Sequence, residues 1–595
     1  MNINEKLKEL RKLMRDEGID VYIEPSADPH QSEYLADYFK SRAYITGFTG
    51  SAGTALVTDK EAILWTDGRY FIQAENQIKD NEFKLYKMNT PGYPSLQEWL
   101  EENVKYGARI GLNGRIFSQG AVEKIEDGLK DKKVSIHHED DLIGKIWDDR
   151  PHLPIRDAFM LGEEYSGKST AEKIKEIRLE MEKKNATHFL LASLDDIAWL
   201  YNIRGWDVDN NPVLISYAMV TFDYAMLFVD ERKIPESVKT DLYDSGVVLA
   251  DYDSIDQHLG DLPKDSTIIL QKDRVNTSLF HAIPKNCRII DTDNMTTIMK
   301  GIKNPVEIKN QEEAYLKDCT ALTGFFHWLH KEMDQREITE VEASERLLKF
   351  RMEQEGFLQP SFGTIAAYGP NGAMMHYSPD EASCALLQKK GLFLVDSGGQ
   401  YYNGTTDITR TVALGELTDL EKRDFTLVLK GHINLLSSRF LHGTSGHVLD
   451  VLARQPLWKE GVDYKSGTGH GVGYLLNVHE GPHRIATAPN NVAMEPGMVV
   501  TVEPGVYREG MHGIRTENVA VVRKDMENES GTFLSFQLLS YCYIDRECIV
   551  PEMLTDDEKL WLDQYHMNVY EKLKNRLDQE VGEWLKDKTR PIDEK

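Results

Sequence analysis

A chain of 595 residues is too long for a single hydrophobic core, and at roughly 100 to 200 residues per domain it divides into about three domains. Hydrophobic residues at 41% and charged residues at 28% place it among ordinary globular proteins and exclude the disordered and fibrous classes. Lys plus Arg number 70 against 97 Asp plus Glu, and the net charge of −27 repels phosphate backbones and anionic lipid surfaces, so neither nucleic acid nor a membrane is expected as a partner.

The chain opens on a charged segment, residues 1–13, that reads as a helix rather than as a basic stub before an apolar stretch. No apolar run approaches the roughly 18 residues of a membrane span, and a cytoplasmic location is expected. Within that helix Leu7, Leu10, Leu13 and Met14 share one face; residues 19–23 then read as a short buried strand and residues 25–28 break it. The pattern returns later at one constant offset: Ile174, Ile177 and Met181 repeat Leu7, Leu10 and Met14, Arg178 matches Arg11, and Asp195 matches Asp28. With strands expected over 53–58, 62–66 and 213–229, the spacing predicts two related α/β domains in tandem. Pro151 and Pro154 mark the boundary between them, and a second boundary falls near Gly301 to Pro305. The expected domains are 1–154, 155–302 and 303–595. The third begins with a long helix over 307–334 and a second ending near Gly356, then alternates strands with glycine-rich turns. Residues 555–588 read as an amphipathic helix carrying Trp561 and Trp584. The five cysteines, Cys287, Cys319, Cys384, Cys542 and Cys548, lack any Cys-x-x-Cys pair, so reduced thiols are expected rather than a disulfide framework or a zinc knuckle.

The chemistry concentrates in the third domain. Residues 391–395 form an apolar run that ends on Asp396, and the turn Ser397-Gly398-Gly399 follows at once, which places the carboxylate where a buried strand reaches a cleft. After the turn signal Asn403-Gly404, a strand over 405–412 would set Asp407, Thr409 and Thr411 on one face, so that a hairpin brings Asp396 and Asp407 together. Two adjacent carboxylates repel unless a cation or a proton separates them. Glycines surround His470 in the stretch SGTGHGVG, residues 466–473, and permit close backbone approach. Residues 499–502 run into Glu503 before Pro504-Gly505, and a strand over 513–522 would put Arg515 and Glu517 on one face. Singly, a strand-end acid before glycine is a turn former and a lone histidine a structural residue. Together, Asp396, Asp407, His470, Glu503 and Glu517 offer four carboxylates and one imidazole, whose negative charge can balance two divalent cations. Such oxygen-rich ligation suits Mn²⁺ or Co²⁺ better than a thiolate zinc site does.

These stretches, read as DSGG at 396–399, TDITRT at 406–411, SGTGHGVGYLLNVHEGP at 466–482, VEPG at 502–505 and GIRTEN at 513–518, resemble the three-domain Xaa-Pro aminopeptidases of the pita-bread metallopeptidase superfamily. GFTGSAG at 47–53 and WTDGRY at 65–70 are similar to that family's first domain, and the resemblance covers nearly the whole chain. It implies an α/β and α+β fold class: two creatinase-like α/β domains followed by a pita-bread catalytic domain. It also implies two divalent ions, Mn²⁺ with Co²⁺ or Zn²⁺ as alternatives, on the five residues above, with Asp407 and Glu517 as the bridging ligands. His376 and His479 match positions that contact the scissile peptide and steady the tetrahedral intermediate. Arg515 would hold a bridging carboxylate or close the proline pocket, Tyr507 would line that pocket, and a homodimer is expected. One departure is visible: where many members carry a histidine four residues before the ligand histidine, this chain has Ser466, which leaves the polar wall of the pocket open.

The expected reaction removes the N-terminal residue from peptides with proline at the second position. A hydroxide bridging two cations is nucleophilic near neutral pH; it would attack the peptide carbonyl while Glu503 relays a proton to the leaving nitrogen and His376 with His479 steadies the oxyanion. Proline has no N–H and fixes the chain direction, so a pocket shaped to its ring would select it. An Xaa-Pro dipeptidase, which blocks everything beyond the proline, and a non-catalytic, chaperone-like peptide binder stand as alternatives. The complete ligand set argues against the binder, and the acidic charge argues against a two-metal phosphodiesterase.

Overall fold

In the computed structural model, which describes residues 1–139 and 141–594, the first helix spans Ile3–Glu17. Asn2 and Glu5 cap it reciprocally, each side chain accepting the other's backbone N–H, and Leu7, Leu10 and Met14 are buried. Its counterpart, Thr170–Lys183, is capped in the same way by Ser169 and Glu172 and buries Ile174, Ile177 and Met181. The matched arginines do the same work: Arg11 Nε donates to Thr58 O at 3.0 Å and Arg178 Nε to Thr221 O at 2.8 Å. Each thereby ties its helix to the end of a strand.

Each helix leads into a six-stranded mixed sheet, and the two sheets share one topology. The first runs in the order Lys84–Lys87, Ala62–Thr66, Thr54–Thr58, Val21–Pro25, Arg109–Leu112, Ser135–His137. The second runs Val247–Ala250, Ala225–Val229, Ser216–Thr221, His188–Leu191, Thr267–Leu270, Arg288–Asp291. In both, the strand after the helix pairs antiparallel on one side and parallel on the other. The strand expected over 213–229 is a hairpin of two, because the N–H groups of Asp223 and Tyr224 turn back onto the Thr221 hydroxyl. The sheets meet about an internal two-fold: Ser118 bridges Asn276 antiparallel, Gln119 N–H donates to Val275 O at 2.9 Å, and Thr277 N–H donates to Phe117 O at 2.8 Å. Ser118 and Asn276 also cap equivalent helices, Gln119–Leu129 and Thr277–Ala282. Both sheets lie in one compact unit made of Met1–Gly162 and Lys168–Thr297.

The second compact unit comprises Glu163–Gly167 and Ile298–Lys595. It opens on the helix Pro305–Met333, started by an Asn304 and Glu307 capping box with proline in the first turn, and continues with Glu340–Met352. A three-stranded antiparallel sheet follows, with Leu392–Ser397 between Ile365–Tyr368 and Ile408–Ala413. A six-stranded sheet orders Arg439–Leu441, Gly531–Leu538, Asn518–Asn528, Val499–Val502, Gly469–Gly471 and Glu480–Ile485. The helices Asp419–Leu436 and Gly446–Trp458 cover it, and Leu435, Leu449 and Ala453 from them pack against Val500 and Ala520 of the sheet. The tail is two helices rather than the single one expected over 555–588: Asp556–Leu573 and Gln579–Lys588, the second restarted by the Asp578 cap. Among the described residues no helix is long and apolar enough to cross a membrane.

Candidate metal centre

The five residues singled out above sit at strand ends or between strands. Asp396 is the penultimate residue of Leu392–Ser397, paired with Thr409 on one side and Ile365 on the other. Asp407 lies just before Ile408–Ala413, because the strand expected over 405–412 is interrupted between Gly404–Thr405 and Ile408–Ala413. The strand expected over 513–522 breaks as well: Arg515 ends His512–Arg515, Asn518 begins the next strand, and Glu517 falls in the gap, held by its N–H on Thr409 O at 3.2 Å. Glu503 follows Val499–Val502, and its N–H donates to Thr468 O at 2.8 Å. His470 is the central residue of Gly469–Gly471, where a Cβ on either flanking glycine would run into the backbone of the neighbouring strand.

Ligand atoms of Asp407, His470 and Glu517 all lie within 4.8 Å of one another. His470 Nε2 stands 3.4 Å from Asp407 Oδ2 and 3.5 Å from Glu503 Oε1, while its Nδ1–H donates to Gly471 O at 2.8 Å. The ring is therefore oriented from behind and turns Nε2 toward the acids, the arrangement that fixes a metal-binding tautomer. Asp396 joins through Arg515, whose Nη2 donates to Asp396 Oδ2. Arg515 Nε donates to the Thr409 hydroxyl at 3.1 Å, which in turn donates to Glu517 Oε2 at 2.8 Å, and Nη1 donates to Tyr507 OH at 2.7 Å. Thr501 makes a second link, accepting from His470 N–H at 3.0 Å and donating to Glu503 Oε1 at 3.2 Å.

Arg515 and His470 compensate only part of the charge that the four carboxyl groups can carry. Burial pushes the Asp396 carboxyl up to about 6 against the pull of Arg515, with Asp407 and Glu503 adding to the rise. Burial, then Asp407, Glu503 and Asp396, drive the Glu517 carboxyl well above the ordinary range. Burial alone would lower the His470 imidazole, but the Asp407 contact and the Glu503 charge outweigh it and raise the group to about 9. Asp396 Oδ1 and Glu517 Oε1 are buried without any hydrogen-bond donor, which is costly for a carboxylate oxygen in a protein interior. Positions that gather protons and leave acceptor oxygens unpaired fit divalent cations, whose binding displaces those protons.

The His479 ring packs edge-on against His470 with centroids 4.4 Å apart. His376 lies in an irregular segment after the 3₁₀ turn Gly369–Ala373. Tyr507 is on the hairpin strand Gly505–Arg508, within reach of Arg515. Ser466 is half-buried; its Oγ is buried without a partner and its carbonyl accepts from Arg454 Nη2 at 2.7 Å. Sequence reasoning passed over three groups: Thr501, the Lys300 and Lys303 pair on the Glu480 carboxylate beside His479, and the linking role of Thr409. Thr409 carried a signal, its place on the strand face with Asp407, whereas the lysines meet Glu480 only through tertiary contact.

Residues 309–524 match the model of metallopeptidase family M24, and residues 532–592 match the C-terminal region of that peptidase. Residues 6–141 and 149–307 each match a creatinase/prolidase N-terminal domain. A probable Xaa-Pro aminopeptidase P of Laccaria bicolor is 39% identical over 614 aligned residues, spanning 100% of this chain and 94% of the relative. Aminopeptidase P2 of Arabidopsis thaliana is 39% identical, over 99% of this chain and 89% of its own length. The crystal structure of an X-prolyl aminopeptidase from Caenorhabditis elegans, described as a cytosolic enzyme with a di-nuclear active site, superimposes with a TM-score of 0.96 at 34% identity, covering 99% of this chain and 100% of that one. Two creatinase-type α/β sheets followed by a pita-bread catalytic domain are the architecture this match implies, and the chain belongs to the Xaa-Pro aminopeptidase P family of the M24 metallopeptidases.

Proposed function

We propose that this chain is an aminopeptidase that releases the N-terminal residue from peptides with proline at the second position, at a site of two divalent cations held by Asp396, Asp407, His470, Glu503 and Glu517. The observation that carries this reading is the approach of Asp407 and Glu503 to His470 Nε2 and the grouping of Asp407, His470 and Glu517, with acceptor oxygens on Asp396 and Glu517 left unpaired. The di-nuclear site described for the nematode relative supports it. When bound, the cations supply a nucleophile by making water acidic near neutral pH. Oxygen-rich ligation favours Mn²⁺ over a thiophilic ion.

The protein side chains do the rest. Glu503, beside His470 and tied to Thr501, accepts the proton of the attacking water and passes it to the leaving nitrogen. His479, against the His470 ring, and His376 donate to the developing oxyanion. Arg515 holds Asp396 and, through Thr409, Glu517, so that both acids keep their ionised geometry; Tyr507 and Ser466 line the proline pocket. The chain works as three domains, 1–154, 155–302 and 303–595, in a cytoplasmic homodimer; the cytosolic location described for the nematode relative supports that location.

A panel of Xaa-Pro-Yaa, Xaa-Ala-Yaa and Xaa-Pro peptides, assayed with Mn²⁺ added and then chelated, tests the reading. Release of Xaa from Xaa-Pro-Yaa alone, lost on chelation and restored by Mn²⁺, is expected. Cleavage confined to Xaa-Pro would make the enzyme a dipeptidase instead.

A further inference from the structure

His376 is carried by no regular element. The 3₁₀ turn Gly369–Ala373 ends before it, and the next strand named in the fold begins only at Leu392. A side chain that must meet a reacting atom needs supports that hold it to a fraction of an ångström, and an irregular segment does not supply them by itself.

Glu340 holds the segment on either side of His376. It is the first residue of the helix Glu340–Met352, behind the Thr339 cap, and is 0% exposed. One oxygen of its carboxylate accepts from Tyr368 N–H at 2.6 Å, ahead of the turn; the other accepts from Ala385 N–H at 2.7 Å, beyond the irregular segment, and from Tyr377 OH at 2.7 Å, in the middle of it. Asn371 Nδ2 donates to both oxygens at 3.1 Å. These donors are neutral, and the positive end of the helix dipole favours the buried carboxylate. Both ends and the centre of 368–385 thus hang on a single group.

At two further points the same segment packs against strands of the candidate metal centre. The Tyr377 ring, next in sequence to His376, is buried with Ile365, Ala367 and Leu394, on the strand face where Ile365 lies opposite Asp396. On the other side of His376, Gly372 lies so close to Gly513 that a Cβ would come 2.9 Å from the Gly513 nitrogen, and Gly513 shares a strand with Arg515. His376 is therefore strung between elements that carry Asp396 and Arg515, with Glu340 as the common anchor.

We propose that Glu340 is the positioning residue for His376, holding it through Tyr377 in the orientation from which it donates to the peptide during turnover. The proposal rests on the reading of His376 as that donor. A double-mutant cycle tests it. His376→Ala should lower kcat about 10² to 10³-fold, as loss of one oxyanion donor does. Glu340→Gln keeps the shape but points an amide N–H₂ at donors that need an acceptor, and should lower kcat by about 10 to 100-fold with KM and metal content unchanged, as a misplacement of about 1 Å does. In the His376→Ala background the Glu340→Gln change should then cost less than about twofold, because its target is gone. Effects that multiply would overturn the positioning role alone, as would loss of metal in Glu340→Gln. A His376→Ala enzyme with unaltered kcat would overturn the reading of His376 first. If Glu340→Gln does not fold, Tyr377→Phe replaces it in the same cycle, with a loss of about tenfold expected in the wild-type background, none in His376→Ala, and multiplying effects again overturning the role.

Discussion

At the scale of single residues, the centre is governed by unpaired charge. Asp407 faces His470 at 3.4 Å and belongs to the tight group with Glu517, so Asp407→Asn removes a negative charge that the two proposed cations would need. Activity should fall by orders of magnitude with the fold retained, and metal analysis should find fewer than two ions per chain; two ions with normal turnover would remove Asp407 from the ligand set. His479 is expected to act on substrate rather than on metal. His479→Ala should cost about 10² to 10³ in kcat while metal content is unchanged, and a metal-depleted variant would make it a ligand. Ser466 has a buried hydroxyl without a partner at the position where the resemblance leads one to expect a larger imidazole. Ser466→His should change kcat/KM on Xaa-Pro-Yaa peptides by up to about tenfold, or roughly 1.4 kcal/mol, and shift discrimination between proline and alanine at the second position. Paired kinetics at fixed Mn²⁺ decide it: an unchanged ratio puts Ser466 outside the pocket.

At the scale of elements, the strand Glu480–Ile485 is pinned at its first residue. Lys300 Nζ donates to Glu480 at 2.8 Å and Lys303 Nζ donates to its other oxygen, with all three side chains 7% exposed or less. Burial would push the Glu480 carboxyl up, but the two ammonium groups outweigh it and hold it below its ordinary range. Glu480→Gln removes the carboxylate charge that both buried ammonium groups share and should destabilise the protein by about 3 to 5 kcal/mol near neutral pH. Because the folded-state value is depressed, this stabilisation is present above the unfolded carboxylate value of about 4.3 and is lost as pH falls through the folded value. Denaturation curves of wild type and variant should therefore converge at acidic pH. A gap that persists undiminished at about pH 3 would show that the charge pairing is not its source.

At the scale of the whole molecule, two designs are combined in one chain. The first unit repeats a helix and six strands about an internal two-fold, and the second builds its centre where strands end. The helix Gly446–Trp458 of the second unit leaves Val448, Val451 and Trp458 exposed at 59%, 44% and 47% along one stripe, while Arg454 and Asp450 on its other face hold the loop before His470. An apolar stripe of this kind fits the expected contact with a second copy. Sedimentation equilibrium at micromolar concentration should return twice the chain mass, and a monomer at that concentration would rule out the homodimer.

Local pattern was enough to read several of these features. The helical faces of Leu7, Leu10 and Met14 and of Ile174, Ile177 and Met181 follow from periodicity, and the repeat they announce is a repeat of sheet topology as well. The strand-end acids and the glycine-framed His470 were legible because each is marked by its immediate neighbours. Strand continuity was not: periodicity ran through 405–412 and 513–522, yet the chain breaks at Asp407 and Glu517 so that their carboxylates can turn toward His470. The hold of Glu340 on the His376 segment, the Arg515 to Thr409 to Glu517 chain, and the two lysines on Glu480 join residues far apart in sequence. Composition and spacing report which side chains are near a strand end, since that depends on residues a few places away. Which distant donor satisfies a buried carboxylate depends on how whole elements pack, and only the tertiary structure decides that.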